Sequence, residues 1–212
     1  IAPKKWNAAN ANAYRGYFPS HVGGKEGLDL GDPRLAADAP ELVGRPYHET
    51  LALPSELGEG FAAAVEGWFA ACFALGRTLL GALVGELGGD PARVDAGFAR
   101  PASLTTLRLN HYPAGIAPVE ISSDDGAPLA CETHVDSGVL TLVFQDEQGG
   151  LEVRDADGRW TSVPYAPDAF VVNTGLALEQ LTAGRLRATA HRVRALGGER
   201  ISIPFFLEPA HD

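Results

Sequence analysis

Residues 139–154 read VLTLVFQDEQGGLEVR, two short β-rich runs separated by Gly149-Gly150. Short runs rich in Val, Ile, Leu and Phe, bounded by Gly, Pro or Asp, are typical of β-strands. Seven such runs follow Pro101 and predict strands at Leu104–Asn110, Val139–Gln145, Leu151–Arg154, Trp160–Val163, Phe170–Asn173, Ala188–Arg194 and Ile201–Phe206. Short strands with turn residues between them predict an antiparallel sandwich or barrel.

A long helix is predicted upstream, from Ser55 to Leu87. Its apolar residues recur mostly at three- and four-residue steps, as on one face of a helix: Phe61, Val65, Trp68, Phe69, Cys72, Phe73, Leu79, Leu80, Leu83 and Leu87. Ser55 can act as the N-cap, and Gly88-Gly89 ends the run. The first 50 residues read as loops with a turn of helix. We therefore predict a mainly β chain with flanking helices, in which the long helix covers one sheet.

Composition excludes several classes of protein. The 212 residues are 45% hydrophobic and 21% charged, ordinary values for a globular chain. The formal net charge of −10 disfavours nucleic acid or an anionic membrane as a partner. Only Cys72 and Cys131 are present, too few for a disulfide scaffold, and the first residues lack the apolar core of a signal peptide. The expected location is the cytoplasm.

His134 and Asp136 form a His-x-Asp pair just ahead of the strand predicted at Val139–Gln145. On an extended backbone, residues two apart point to the same side, so both side chains can reach one ion. His191 lies in another predicted strand and supplies a third ligand if the two strands are neighbours. Two histidines and one carboxylate leave three positions open, the arrangement that holds non-heme Fe(II) for oxygen chemistry. The alternative is three unrelated polar residues.

Arg200 and Ser202 point to one side of an otherwise apolar strand. A guanidinium that faces a barrel interior needs an anion, and a carboxylate suits it bidentately. A buried site with metal ligands at one end and this pair at the other would suit a small dicarboxylate. The alternative is an internal ion pair of Arg200 with Glu199 or Glu208.

These motifs together resemble the isopenicillin N synthase-like branch of the 2-oxoglutarate/Fe(II)-dependent dioxygenases. The resemblance runs from about Tyr14 to Pro209. It rests on these stretches: Leu107-Arg108-Leu109-Asn110-His111-Tyr112-Pro113, His134-Val135-Asp136, Leu140-Thr141-Leu142-Val143-Phe144-Gln145-Asp146, Gly149-Gly150-Leu151-Glu152-Val153, Trp160, Val163-Pro164, Phe170-Val171-Val172-Asn173-Thr174-Gly175, His191-Arg192-Val193 and Arg200-Ile201-Ser202-Ile203-Pro204-Phe205-Phe206. Two positions depart from the family's pattern: Leu176 stands where relatives carry an acid, and His111 replaces the first tyrosine of its motif.

The resemblance implies a double-stranded β-helix (jelly roll) core with the long helix packed outside it. Residues 101–212 would form the catalytic core, and residues 1–100 would supply loops and a supporting helix, with the N-terminal region truncated. It also implies roles for individual residues: iron ligation by His134, Asp136 and His191, binding of the distal carboxylate of 2-oxoglutarate by Arg200 and Ser202 with help from Tyr112 and Asn110, and substrate contacts by Phe206 and Glu208.

The implied activity is that of an oxidoreductase using Fe(2+), 2-oxoglutarate and O2. It would hydroxylate, desaturate or cyclise a small-molecule substrate of specialised metabolism, releasing succinate and CO2. No acid or base separate from the iron is assigned. One alternative is an Fe(II) oxidase of the isopenicillin N synthase type, which uses O2 without 2-oxoglutarate and in which Arg200 would bind the substrate's own carboxylate. Another is a non-catalytic jelly-roll binding protein.

Overall fold

The computed structural model describes residues 15–19, 24–45, 47–49 and 57–210. The chain divides into two compact units, each built from discontinuous segments. One contains Ile1–Tyr17, Asp29–Leu107 and Phe205–Asp212, and the other contains Phe18–Leu28 and Arg108–Pro204. The predicted division between residues 100 and 101 stays a prediction.

Among its described residues, the first unit has three α-helices: α1 (Leu35–Asp38), α2 (Gly58–Glu86) and α3 (Ala92–Gly97). The predicted long helix is therefore present, and it begins after Leu57. Ser55, the predicted N-cap, lies outside the described residues. The helix ends just before Gly88, whose φ of 81° is the left-handed conformation that glycine adopts at no steric cost. Backbone hydrogen bonds from Gly88 to Gly85 and from Gly89 to Val84 close this end.

One face of α2 is buried, with Phe69 at its centre. Phe69 is fully inaccessible, and its ring meets that of Phe205 edge-on at 5.1 Å between centroids. The guanidinium of Arg100 lies 5.3 Å from the Phe69 ring centroid and is held by an ion pair with Asp32 at 2.9 Å. Such offset aromatic contacts add to the free energy of apolar burial. The predicted apolar stripe is thus a packing surface within this unit.

By length and composition alone, α2 is also apolar enough to cross a membrane. The core helix of a soluble protein passes the same test, and α2 uses its apolar face for packing within its own unit. The predicted absence of a membrane partner stays a prediction.

The described residues also form two β-sheets. The six-stranded sheet has the order β1-β2-β3-β11-β6-β9, and the five-stranded sheet has the order β4-β5-β10-β7-β8. Their bounds are β1 Gly16–Phe18, β2 Glu26–Leu30, β3 Thr106–Tyr112, β4 Glu120–Ile121, β5 Pro128–His134, β6 Leu140–Gln145, β7 Leu151–Arg154, β8 Trp160–Ser162, β9 Val171–Thr174, β10 His191–Arg194 and β11 Arg200–Leu207. A fourth helix, α4, spans Leu176–Leu181. This is a double-stranded β-helix core, so the predicted fold class is confirmed.

Each of the seven predicted strands is present, with ends displaced by no more than three residues. Four strands were not predicted: β1, β2, β4 and β5. β5 reads PLACETH, which contains proline and only one strongly β-favouring residue, threonine. It becomes a strand because it pairs with β10, where His134 lies opposite His191 and Cys131 opposite Val193.

A small buried cluster in the second unit combines residues of the two sheets. Its buried members are Tyr112, Ala130, Leu151 and Val193, with Val163 and Val171 packed against them. These residues come from strands of both sheets, so the cluster holds the sheets face to face within the second unit.

Arg192, next to His191, is the largest fully buried side chain among the residues that the structure describes. Its Nε donates to Glu152 Oε2 at 2.7 Å, and its Nη2 donates to Asp125 Oδ2 at 2.6 Å. Its Nη1 donates to Ser122 Oγ at 2.9 Å, and its guanidinium lies 4.1 Å from the Trp160 ring centroid. A buried guanidinium is tolerated when its donors are satisfied in this way. Arg192 therefore fixes β10 to β7 and to the loop before β5.

We expect Phe69→Ala to lower the free energy of unfolding by about 3–5 kcal/mol, because the cavity forms where the ring is fully enclosed. Leu75→Ala on the same helix is the matched control, since Leu75 is 38% exposed, and it should cost well under half as much. Urea unfolding measures both values. Equal losses for the two variants would contradict this account of the α2 face.

Candidate active site

The three predicted metal ligands meet in the second unit. His134 is the last residue of β5, and His191 is the first of β10, directly opposite it. Asp136 lies beyond the end of β5, in the turn that leads to β6. One ligand atom from each residue lies within 4.8 Å of the other two. Asp136 Oδ1 is 3.7 Å from His191 Nε2 and 4.0 Å from His134 Nε2.

Backbone carbonyls orient both imidazoles. His134 Nδ1 lies 2.8 Å from the carbonyl oxygen of Glu132, and His191 Nδ1 lies 3.1 Å from that of Thr189. A carbonyl only accepts, so each Nδ1 carries the proton and donates it. The Nε2 lone pairs are thereby left for a metal, as in other histidine metal sites.

Two side chains orient the Asp136 carboxylate. Thr141 on β6 donates to Oδ2 at 2.7 Å, and Asn173 on β9 donates to the same oxygen at 2.9 Å. Asp136 is buried, so both hydrogen bonds are made in surroundings that contain little water. Because Oδ2 is occupied, Oδ1 is the oxygen presented to the two histidines.

The start of α4 holds the turn that carries Asp136. The amide of Leu176 donates to the Asp136 carbonyl at 2.8 Å, and that of Ala177 donates to the Gly138 carbonyl at 3.1 Å. Gly175 permits this approach, because a Cβ there would lie 2.2 Å from the Gly138 carbonyl oxygen. Position 175 therefore requires glycine because there is no room for a side chain, and not because the backbone adopts a positive φ.

The two histidines differ electrostatically. Burial, followed by repulsion from His134, lowers the pKa of His191 below its ordinary value. A hydrogen bond with Cys131 raises the pKa of His134, and burial opposes it. A neutral His191, an oriented Asp136 and a His134 that can lose its proton form a ligand set for a divalent transition metal. With three protein ligands, an octahedral ion keeps three positions open, so the residues fit non-heme iron.

Arg200 and Ser202 are buried on β11, whereas Ile201 between them is 46% exposed. Arg200 Nε donates to the Gly149 carbonyl at 2.6 Å, and its Nη2 lies 3.4 Å from Gln145 Oε1. Its Nη1 is buried and has no hydrogen-bond partner among the described residues. Glu199 pairs with His111 and not with Arg200. A buried guanidinium nitrogen without an acceptor fits an anion such as a carboxylate.

Tyr112 and Asn110, the two predicted helpers on β3, lie beside this pair. Tyr112 is buried and shares a hydrogen bond with the Ser202 hydroxyl, and its ring centroid is 4.9 Å from Arg200 Cζ. Asn110 Nδ2 donates to Ser202 Oγ at 3.4 Å. The four residues predicted to bind the cosubstrate therefore form one polar cluster in the second unit. We call it the carboxylate cluster, because its predicted ligand is a carboxylate; its members are Asn110, Tyr112, Arg200 and Ser202.

Phe206 and Glu208, the predicted substrate contacts, belong to the first unit. The backbone carbonyl of Glu208 accepts hydrogen bonds from Ser103 and Thr105. A role in substrate binding stays a prediction for both residues.

Comparison with known proteins agrees with this site. Residues 105–209 match the 2OG-Fe(II) oxygenase superfamily. Isopenicillin N synthase of Streptomyces griseus is 31% identical over 218 aligned residues, which cover 100% of this chain and 65% of that protein. The chain belongs to the 2OG-Fe(II) oxygenase superfamily. Because the alignment covers 65% of that synthase, this chain spans less than two thirds of its length.

Two further relatives bear on the cosubstrate. A 2-oxoglutarate-dependent dioxygenase of Monascus ruber is 31% identical over 189 residues, covering 88% of this chain and 55% of that protein. A full-length Neurospora crassa protein superposes with a TM-score of 0.76 at 28% identity, covering 94% of this chain and 61% of that chain. That Neurospora protein was solved in complex with alpha-KG, and also with alpha-KG and 5-formyluracil.

Sequence reasoning missed three contributors to this superfamily site. Thr141 and Asn173 orient Asp136, and Lys25 reaches Cys131 beside His134. Asn173 stood in a stretch used for the resemblance but received no role. Thr141 also stood in such a stretch without a role, and Lys25 carried no local signal because its partner Cys131 is distant in sequence.

We expect Gly175→Ala to weaken metal binding by about 10- to 100-fold, the usual effect of disturbing the residues that orient metal ligands. The added Cβ must displace the Gly138 carbonyl and, with it, the Asp136 turn. Gly67→Ala is the control, because a Cβ at Gly67 on α2 would meet nothing within 4 Å. Calorimetric titration with Fe(II) under anaerobic conditions measures the affinity. Unchanged affinity in Gly175→Ala would contradict the role of α4.

His111 is not near the triad but is held between two carboxylates. Its Nδ1 lies 2.7 Å from Glu26 and its Nε2 2.8 Å from Glu199. The hydrogen bond with Glu26 raises the pKa of His111, burial opposes it, and Glu199 adds to the increase. The protonated ring therefore favours the folded state, and this contribution is lost as the pH rises through the folded-state pKa.

An NMR titration of the His111 ring should give a pKa above 6.5, the ordinary histidine value. Glu26→Gln should lower that pKa, and Glu199→Gln should lower it by less. The exposed Glu147 provides the control variant Glu147→Gln, which should leave it unchanged. A pKa at or below 6.5 in the unsubstituted protein would disprove the assignment.

Proposed function

We propose that this protein is a non-heme Fe(II)- and 2-oxoglutarate-dependent oxygenase that oxidises a small-molecule substrate. The observation that carries the proposal is the joint presence of the oriented triad His134, Asp136 and His191 and of a buried Arg200 with an unpartnered Nη1. The relative solved with alpha-KG, and with alpha-KG plus 5-formyluracil, supports it.

Each group has a separate task in this proposal. His134, Asp136 and His191 hold the metal and leave positions open for small ligands. Arg200 and Ser202 bind the distal carboxylate of 2-oxoglutarate, while Tyr112 and Asn110 hold the Ser202 hydroxyl in place. Iron would supply the oxidising chemistry with O2 as the oxidant and 2-oxoglutarate as the co-reductant that is converted to succinate and CO2.

Burial of the site strengthens each of these interactions. Arg200, Ser202 and Tyr112 are each less than 5% exposed, so their hydrogen bonds to a bound carboxylate compete little with water. The protein's own contribution is therefore orientation of the ligands and exclusion of water, and no side chain is assigned as a separate acid or base.

A second candidate is an Fe(II) oxidase that uses O2 without 2-oxoglutarate. The match to isopenicillin N synthase across the whole of this chain, at 31% identity, favours it. In that case Arg200 and Ser202 would bind a carboxylate of the substrate itself. The two candidates share the metal site and differ in the ligand of the carboxylate cluster.

Anaerobic titration followed by visible absorption separates the candidates. Fe(II) together with 2-oxoglutarate should produce a weak visible charge-transfer band. His134→Ala should abolish the band by removing a metal ligand. Arg200→Ala should weaken 2-oxoglutarate binding by about 10- to 100-fold, since it removes charge-assisted hydrogen bonds.

Arg159→Gln is the matched control for the loss of one arginine, because Arg159 is exposed on the turn between β7 and β8. It should leave the band unchanged. Bound iron without a band would reject the use of 2-oxoglutarate and favour the oxidase. No iron binding would reject both and leave a jelly-roll binding protein.

A further inference from the structure

Lys25 immediately precedes β2 and reaches into the site. Its Nζ lies 3.1 Å from Cys131 Sγ and 5.6 Å from the ring centroid of Tyr112. Within the described part of the chain, this ammonium meets a thiol and a phenol ring but no carboxylate. The one described hydrogen-bond acceptor of this ammonium is a sulfur, so donors remain for a further anion.

Tyr112 connects Lys25 to the carboxylate cluster. The Tyr112 ring has Arg200 Cζ at 4.9 Å and Lys25 Nζ at 5.6 Å from its centroid. Lys25 also has a like-charged neighbour in Arg108, and an anion bound beside these cations would relieve the repulsion between them. The unpartnered Nη1 of Arg200 indicates the same missing anion.

Cys131 connects Lys25 to the metal triad. Its thiol accepts a hydrogen bond from Lys25 and shares one with His134. A continuous series of contacts thus runs from Arg200 through Tyr112, Lys25 and Cys131 to His134. A dicarboxylate that joins Arg200 to the metal must occupy the same region of the second unit.

Nearby groups keep Lys25 charged. Burial lowers the pKa of Lys25, but Tyr112 and Cys131 outweigh it, so that the pKa lies above its ordinary value. The side chain is therefore an ammonium at neutral pH, with three hydrogen-bond donors and one described acceptor.

We propose that Lys25 is a second cationic binding group for the dicarboxylate that Arg200 holds, with the Tyr112 ring beside both cations. The identification of the dicarboxylate as 2-oxoglutarate rests on the proposed function. Lys25 acts here as a binding and positioning residue.

The test is calorimetric titration of 2-oxoglutarate into the protein loaded with Ni(II), a metal that imidazole ligands bind well. Lys25→Met keeps most of the side-chain volume and removes the charge, and it should weaken binding by about 10-fold, as expected for one charge-assisted hydrogen bond. Lys25→Arg should retain most of the affinity. Arg159→Gln, which removes an exposed cation, should bind as the unsubstituted protein does. Equal affinity in Lys25→Met and the unsubstituted protein would overturn the inference and leave Lys25 as a partner of Cys131 only.

A second measurement needs no substitution, so it remains possible if a Lys25 variant fails to fold. Reductive methylation of the unsubstituted protein is followed by mass spectrometry of the peptide that contains Lys25, with and without saturating succinate. Protection of Lys25 by succinate supports the inference, and unchanged labelling contradicts it.

The two measurements also separate this inference from the proposed function. If the Ni(II)-loaded protein does not bind 2-oxoglutarate, the proposed function fails. Protection of Lys25 by succinate would then still support a two-cation carboxylate site, with a carboxylate of the substrate as its ligand.

Discussion

The orientation of one buried carboxylate, that of Asp136, is the constraint on which the site depends. Thr141 and Asn173 hold Oδ2, so that Oδ1 faces both imidazoles. A carboxylate taken out of water must find hydrogen-bond donors, and these come from β6 and β9, while α4 holds the turn itself. The ligand geometry is therefore determined by protein contacts alone, and a metal ion would enter a site that is already oriented.

The two sheets contribute different parts of that site. The five-stranded sheet supplies the histidines, because β5 and β10 pair in a register that sets His134 opposite His191. The six-stranded sheet supplies the donors to Asp136 and the carboxylate cluster. The buried Arg192 ties β10 to β7, which makes the position of His191 part of a hydrogen-bonded framework rather than of a free strand end. The polar groups that serve a ligand are thus carried on rigid elements, which favours precise binding.

Local patterns in the sequence were sufficient for the elements that carry strong periodicity. The apolar stripe of α2 predicted the helix nearly to its ends, and alternation in β11 predicted that Arg200 and Ser202 share one face. The pattern failed for β5, whose composition does not favour a strand, and for β1 and β2 in a region that reads as loops. These strands form because neighbouring strands supply hydrogen bonds, and no local pattern contains that information.

By itself, the sequence determined the types of ligand and their spacing: a His-x-Asp pair, a later histidine, and an arginine and a serine on the same face of one strand. It did so because helix and strand periodicity act over a few residues. Only the tertiary structure decided that His191 lies opposite His134 and that Oδ1 of Asp136 faces the two imidazoles. It also decided that Lys25 lies beside Tyr112 and Cys131. Those outcomes depend on strand register and on contacts between residues distant in the chain, which are settled when the sheets pack together.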